Sequence, residues 1–489
     1  MNSQEYHRIL GYLRGLVEGT QWESHVYAVG GCCRDEIMGE PIKDIDLAID
    51  LPGGGIGFAE WLHERNLIVN DPVTYPKFGT AMVVLKKFPD VELELVQTRK
   101  EKYTDKNSRC PETAFGSIEE DCMRRDLTVN SIFHNITSGK AVDITGRGLA
   151  DIEAHLLRTP ADPDVTFDDD PVRILRCIRF AARFGWEIDK ATYQGMCRNV
   201  ERLRIVSPRR LRMELEKMLL SPRPAMAMEL LRDTGAMQYV MPALVPLYEL
   251  PTRYEGQTVW QYTLKMLTLV PDDIKLRWAV LLLDAGKGAP VPPDSKKGRP
   301  PHDIESRKVV WRILPRLRYD EEFIEDVAFL VRYHTFFKGA GNDGEKLSDV
   351  RLRKIQYQSG TPERLDMLLT VVNTDNMAYP DDGSLGGQTA AIKRRSEELA
   401  GEGLAMFGYK LPVTIQRLRR IIHARTAKQV REAKDYLLSH AYENPLITAE
   451  EAEKLLKKFA KASDKTRKQS NKKSNGGKNR PNVEKRTRG

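Results

Sequence analysis

Two aspartates separated by one residue, Asp44 and Asp46 in KDIDLAID, are the first side chains in this 489-residue chain whose spacing could do chemistry. In a strand both carboxylates leave from one face, because side chains alternate with a period of two. Ile45, Leu47 and Ile49 then leave from the other face and can pack on a core. Paired carboxylates repel each other unless a cation lies between them. Oxygen ligands at this spacing suit Mg²⁺, which completes its shell with water and phosphate oxygens. Taken alone, the pattern reads first as a solvated face of an edge strand. A second pair, Glu92 and Glu94 in VELELVQTR, alternates with Val91, Leu93 and Leu95. If that strand neighbours the first, one glutamate reaches the metals or takes a proton from an attacking hydroxyl.

Three further groups of residues surround these acids in the sequence. Gly30-Gly31 ends a strand-like run, with Arg34-Asp35 just after it. Glycines let backbone approach a ligand closely, exposed N–H groups at a helix start hold phosphate, and Arg34 adds a charge-assisted donor. The bland alternative is an ordinary tight turn. The segment EEDCMRRDLTVNS brings Arg124, Arg125, Asp126 and Asn130 into one turn and helix, where arginine neutralises phosphate and Asp and Asn bond sugar hydroxyls. A surface helix with internal ion pairs would read the same way. Finally, Arg173, Arg176, Arg179 and Arg183 recur along one predicted helix within a sector of roughly 120°. On its own that stripe is a solvated helix face; beside a nucleotide-binding motif the first arginine would face the nucleotide and the others support it or meet RNA phosphate.

The elements that must position these groups follow from periodicity. A helix is expected over 2–20, a strand over 25–29, a helical turn over 32–38 and a strand over 42–49. Gly53-Gly54-Gly55 breaks the chain before an amphipathic helix near 57–65. Strands over 78–88 and 90–98 meet at a Pro-Asp turn, and Lys100–Glu120 reads as a flexible segment. From Asp170 to 459 helical periodicity dominates, interrupted by a Pro-, Gly- and Lys-rich loop at 286–301. The fold class is α+β: a mixed-sheet head over 1–160, a helical neck over 161–235, a helical body over 236–459 and a disordered basic tail over 460–489.

Composition narrows the class. Hydrophobic residues make up 41% and charged residues 30%, as in a globular protein. No apolar run approaches the ~20 residues that span a bilayer, so no membrane is expected as a partner. No secretory leader is visible. Six cysteines without a CxxC pair suit neither a disulfide framework nor a zinc site, which leads to the expectation of a reduced, cytoplasmic protein. The net charge is +8, yet Lys461–Gly489 alone holds eleven basic and two acidic residues. The rest of the chain is therefore nearly neutral, and the tail is either solubilising or an electrostatic arm for RNA.

Taken in order, Gly30-Gly31-x-x-Arg34-Asp35, Asp44-x-Asp46, Arg124-Arg125-Asp126-Leu-Thr-Val-Asn130 and Asp169-Asp170-Pro-Val-Arg173 with RCIRFAARF resemble the class II tRNA nucleotidyltransferase and bacterial poly(A) polymerase superfamily. The resemblance spans roughly residues 25–235. It implies a nucleotidyltransferase-type head, with Asp44 and Asp46 binding Mg²⁺ as metal ligands. Glu94, five residues before Arg99, would be the third catalytic acid. Gly30, Gly31 and Arg34 would bind triphosphate, and Arg125, Asp126 and Asn130 the nucleotide sugar. Asp170 and Arg173 would read the incoming base, with Arg176 and Arg179 behind them. The family's usual Glu is Asp169 here. The matching loop in the family helps switch from C to A addition, and Lys100–Glu120 has a compatible length. The implied reaction adds C and A from CTP and ATP to the tRNA 3′ end. Poly(A) synthesis, CC-only or A-only addition, and a catalytically dead RNA-binding module are the alternatives. In the body, VWQYTLKML, LLLDAGKG, PPHDIES and LVRYH partly resemble an HD-type phosphohydrolase. Tyr262 and Leu283 stand where histidines would be, while Asp284, His302 and His334 remain, so the segment is read as a degenerate, structural one.

Overall fold

A computed structural model describes residues 1–102, 112–290, 300–341, 344–378 and 387–475. The chain divides into two compact units, Met1–Val331 and Arg332–Gly489.

The first unit opens with α1 (Ser3–Val17), whose Tyr6, Ile9, Leu10, Leu13 and Val17 form its buried face. Then follow β1 (Val26–Val29), α2 (Gly31–Ile37), β2 (Ile45–Ile49), α3 (Gly54–Glu64), β3 (Val73–Tyr75), β4 (Thr80–Val84) and β5 (Glu92–Gln97). A hairpin of β6 (Arg99–Lys102) and β7 (Glu112–Phe115), α4 (Ile118–Met123), β8 (Phe133–Asn135) and β9 (Lys140–Val142) complete the head. Seven strands form one mixed sheet in the order β3-β4-β5-β2-β1-β8-β9. β2 runs parallel to β5 and antiparallel to β1. The alternation in β2 and β5 does what the sequence requires: Ile45, Leu47, Ile49, Leu93 and Leu95 are fully buried on one face.

Four local expectations change. Gly54 and Gly55 start α3 rather than breaking before it. A Cβ on Gly55 would lie 2.1 Å from the Gly79 carbonyl oxygen, so the helix reaches the sheet only without a side chain there. The single strand expected over 78–88 is a short 3-10 turn, Pro76–Phe78, followed by β4, with β3 as an extra edge strand. Lys100–Glu120 is not a uniformly flexible segment. Its ends pair as the β6–β7 hairpin, and Ser117 and Glu120 form a capping box that starts α4; residues 103–111 lie outside the described residues. The final helix, Ala449–Asn475, continues into the segment expected to be a disordered tail. Its Lys, Arg, Gln and Ala residues have good helix propensity and extend a helix already nucleated by packing. Residues 476–489 lie outside the described residues, as do 291–299 of the expected loop.

After α5 (Gly148–Glu153) comes the neck: α6 (Pro163–Asp169), α7 (Val172–Phe184), α8 (Lys190–Asn199), α9 (Pro208–Leu219) and α10 (Pro224–Asp233). Asp162 caps α6, and Gly185, with φ of 74°, ends α7 in the left-handed conformation. Tyr262 and Leu283, at the two histidine positions of the HD-like segment, are both buried apolar core. Asp284 lies 2.7 Å from Lys287 and 3.6 Å from His302.

The second unit is helical. Val413, Leu418, Ala433, Leu437, Ala452 and Leu456 make one core, and Met406, Leu438, Ala441 and Tyr442 another. Buried Arg353 donates to the carbonyls of Leu404, Tyr442 and Glu443, tying separate segments together. Among the described residues, no helix is long and apolar enough to cross a membrane.

Candidate active site

The parallel pairing of β2 with β5 puts Asp46 directly opposite Glu94. Asp44 lies just before β2, exposed. Two oxygen-donor carboxylates are thus neighbours on adjacent strands, and a third, Asp44, lies outside the expected strand, just before it. Their mutual repulsion registers in their protonation. The Asp46 pKa is raised to about 6, first by burial, then by the Glu94 charge, with Arg125 opposing and Asp44 adding. The Glu94 pKa is also raised, first by loss of water and then by Glu92 and Asp44, against the pull of Arg99. Neighbouring carboxylates, with hard oxygen donors, suit a divalent cation such as Mg²⁺.

The glycine loop abuts this acid pair. Gly30 caps α2 with φ of 79°, a conformation that disfavours a side chain. A Cβ built on it would lie 3.5 Å from Arg125 Nη1 and 3.9 Å from Asp46 Oδ2. Gly31 opens α2, so its N–H belongs to the unbonded first turn. Arg34 is different from the expectation of an open phosphate ligand. It is 2% exposed. Its Nε and Nη2 donate to Asp35 Oδ1 at 2.8 and 2.6 Å, and its Nη1 donates to the Asn130 side-chain oxygen. The guanidinium also lies 5.2 Å from the Phe180 ring and 5.0 Å from the Phe184 ring. Burial of a permanent cation requires such partners, and they make Arg34 a strut between α2 and α7.

The motif after α4 is a second network. Buried Asp121 accepts from Arg124 Nε at 3.0 Å and from Arg125 Nε and Nη2 at 3.1 and 2.9 Å. The Arg99 backbone N–H donates to it at 3.2 Å. Asp126 accepts from the Leu127 N–H at 2.9 Å, the Asn130 amide at 3.1 Å and Arg176 Nε at 2.7 Å. Burial pushes the Asp126 pKa up, but Arg176, Asn130 and Arg179 outweigh it and hold it at about 2.

Asp170 ends α6, and Arg173 lies in the first turn of α7. Arg173 Nη1 donates to the Thr166 carbonyl at 3.1 Å, and its Nη2 lies 3.6 Å from Glu101. Asp170 accepts from Arg210 of α9. The rest of the arginine stripe is paired one by one. Arg176 meets Asp126, Arg179 meets Glu214 at 2.7 Å, and Arg183 meets Asp35 at 3.3 Å. Arg179 is buried against Glu214 and the Phe180 ring, so it supports the neck rather than facing an open groove.

Sequence reasoning overlooked Asp121, Glu101, Glu214 and Arg210. Asp121 was legible, since Arg124 and Arg125 follow at the i+3 and i+4 spacing of helical ion pairs. Glu101 binds Arg99 and Arg124 as well as Arg173, and its place on β6 beside Arg99 hinted at this. Glu214 and Arg210 reach the site from a different helix and carry no local signal.

The chain resembles known proteins in sequence and in fold. Residues 26–158 match the family model described as Poly A polymerase head domain, and 185–247 the model described as probable RNA and SrmB-binding site of polymerase A. The chain is 38% identical over 220 residues to the mitochondrial CCA tRNA nucleotidyltransferase of Saccharomyces cerevisiae, which covers 42% of this chain and 40% of that protein. The chain thus spans about 40% of the length of the yeast relatives it matches. A Neisseria gonorrhoeae protein named Multifunctional CCA protein is 30% identical over 387 residues, covering 72% of this chain and 86% of its own. The fold is shared with the Bacillus stearothermophilus CCA-adding enzyme solved in complex with CTP, with a TM-score of 0.62 at 20% identity, covering 95% of this chain and 98% of that one.

Proposed function

This chain belongs to the superfamily of class II CCA-adding enzymes and bacterial poly(A) polymerases, and from that membership we propose that it adds C and A to the 3′ end of tRNA from CTP and ATP. The family implies a divalent metal. Mg²⁺ is the proposed ion, and Asp44 and Asp46, with Glu94 beside them, are the residues that would hold it. The observation that carries the reading is the register that sets Glu94 opposite Asp46 against the Gly30 loop.

In the proposed reaction the terminal 3′-hydroxyl oxygen bonds to the α-phosphorus of the nucleotide. The bond from that phosphorus to its bridging oxygen breaks, and pyrophosphate leaves. When bound, the metal lowers the hydroxyl pKa and offsets charge growing on the phosphate. Glu94, the more open acid of the strand pair, is placed to take the hydroxyl proton. The Gly31 N–H and Arg125 would hold the triphosphate, with Gly30, whose own N–H goes to the Ile132 carbonyl, shaping the turn, while Asp126 and Asn130 would receive the sugar. Asp170 and Arg173 would read the base. An aspartate accepts and an arginine donates, and cytosine and adenine both present an amino group beside a bare ring nitrogen. Uracil and guanine present the reverse. Arg34, Arg176 and Arg179 would act behind this surface, by fixing Asn130, Asp126 and the neck. The head (1–160), neck (161–235) and body (236–459) keep their proposed roles of catalysis, base reading and tRNA binding. The free buried cysteines Cys32, Cys33, Cys122 and Cys177 support a reducing, cytoplasmic-type compartment.

The test is a gel assay with Mg²⁺ and tRNA ending before CCA, after C, and after CC, alongside an unstructured RNA. Addition that stops after CCA on tRNA alone supports the reading. Long A tails on any RNA would replace it with poly(A) synthesis, and a stop after CC or a lone A with a partial enzyme. RNA binding without addition would leave a binding module.

A further inference from the structure

We propose that Arg210 is a positioning residue that fixes the polarity of the base-reading pair, and thereby governs rejection of uracil. The inference rests on the base-reading role proposed above for Asp170 and Arg173. Arg210 stands on α9, some way along the chain from every motif that marks the site. Its Nη1 donates to Asp170 Oδ1 at 3.0 Å and its Nη2 to Oδ2 at 2.5 Å. The Val172 N–H donates to the same Oδ1 at 3.3 Å. Three donors from two elements therefore fix the plane of a carboxylate that keeps 18% of its surface open. Arg173 is fixed separately, by the Thr166 carbonyl and by Glu101 of the β6–β7 hairpin. Each half of the pair is thus held by an opposite charge that the other half does not share.

The bidentate geometry matters because it leaves a defined set of lone pairs for a base. A fixed acceptor beside a fixed donor bonds the amino group and ring nitrogen of cytosine or adenine. It sets a lone pair against the uracil O4, a repulsive contact that rejects the wrong base. Without Arg210 the Asp170 side chain regains rotamers. Cytosine and adenine then lose a directed acceptor, and uracil loses the clash at O4, leaving only the Arg173 donor against its ring N–H. Both changes narrow the ratio between right and wrong nucleotides. A role confined to stability would leave that ratio untouched.

The experiment is steady-state addition of CTP, ATP, UTP and GTP to tRNA lacking its CCA end, with full-length wild type, Arg210→Ala and Arg210→Lys. The alanine variant is expected to raise KM for CTP and ATP about tenfold, the scale of one charge-assisted hydrogen bond, with a much smaller change in kcat. Its CTP-to-UTP ratio of kcat/KM should narrow by at least about tenfold. Lysine brings a point charge without the fork, so it should recover part of KM and leave the ratio narrowed. Arg210 is 45% exposed, so both variants should melt with wild type. An unchanged CTP-to-UTP ratio in Arg210→Ala, a wild-type ratio in Arg210→Lys, or an equal fall in kcat for all four nucleotides would overturn the inference. A wild-type enzyme that adds neither C nor A would instead overturn the function it rests on.

Discussion

Replacing Asp121 by asparagine keeps its shape and removes its charge, and the structure sets the cost. Asp121 is 1% exposed and is the shared partner of Arg124 and Arg125. Removing one partner of a buried ion pair costs about 3–5 kcal/mol, because the other charge stays buried without compensation. Both arginines keep some company. Arg124 retains Glu101 at 3.0 Å and the Arg99 carbonyl at 2.9 Å. Arg125 retains the Asn130 carbonyl at 3.5 Å and the Phe133 ring at 5.1 Å. The expected loss is therefore at the lower end, about 3 kcal/mol, or about 100-fold in a local opening equilibrium. Hydrogen exchange read by mass spectrometry on the intact chain measures it. Peptides within 92–102 and 118–131 should lose about 100-fold of their protection, while those within 411–459 of the second unit keep theirs. Nucleotide KM should rise in parallel, since the Asp121 bonds aim Arg125 at the Gly30 loop. Protection within about threefold of wild type in the two head segments would refute the claim that this ion network organises the site.

Three further outcomes follow from the same geometry. Asp46→Asn should lower the rate of C addition in single turnovers by at least about 10³ while leaving tRNA affinity intact, and a smaller loss would remove Asp46 from the metal-holding set. Asp126 is held at about 2 against an ordinary 3.8, which corresponds to about 2.5 kcal/mol. A depressed carboxylate pKa stabilises above its unfolded value, so this contribution is complete above about pH 5 and disappears as pH falls toward 2. Denaturant midpoints of Asp126→Asn should consequently lie below wild type near neutrality and converge with it in acid; parallel curves would contradict the assignment. Gly55→Ala must push a Cβ to within 2.1 Å of the Gly79 oxygen and 2.9 Å of the Gln97 nitrogen and Leu95 oxygen. A loss of about 3 kcal/mol or more is expected from this overpacking, read as a lowered melting temperature, and a wild-type value would show that α3 can lift from the sheet.

How far the sequence carries the site depends on whether a contact is local. Alternation along KDIDLAID and VELELVQTR assigns Asp46 and Glu94 to faces, and the structure agrees. It does not say which strands are neighbours. β5 lies beside β2 with β3 and β4 beyond it, so the Asp46–Glu94 register is a property of sheet order, and no periodicity encodes that. The arginine stripe of α7 makes the same point about charge. Its narrow sector was legible and suggested a surface for RNA phosphate. Its partners arrive from three other elements: Asp126, Glu214 and Asp35 are separated from their arginines by 50, 35 and 148 residues. A stripe of cations becomes an RNA face or a packed seam depending on acids that the stripe itself does not contain. Burial decides between the two, residue by residue. Arg173 and Arg179 keep side-chain exposures of 8% and 11%, while Arg176 and Arg183 keep 36% and 32%. An arginine that is two-thirds covered and still wet at its tip can bond an internal carboxylate and an external phosphate together, because its planar head carries five donors. Arg179, withdrawn to about a tenth of its surface and bonded to Glu214, has no such second face. The seam therefore has one inward member, Arg179, that holds the neck, one given to the proposed base site, Arg173, and two wetter ones, Arg176 and Arg183, a division that the near-regular spacing of the four in the sequence conceals.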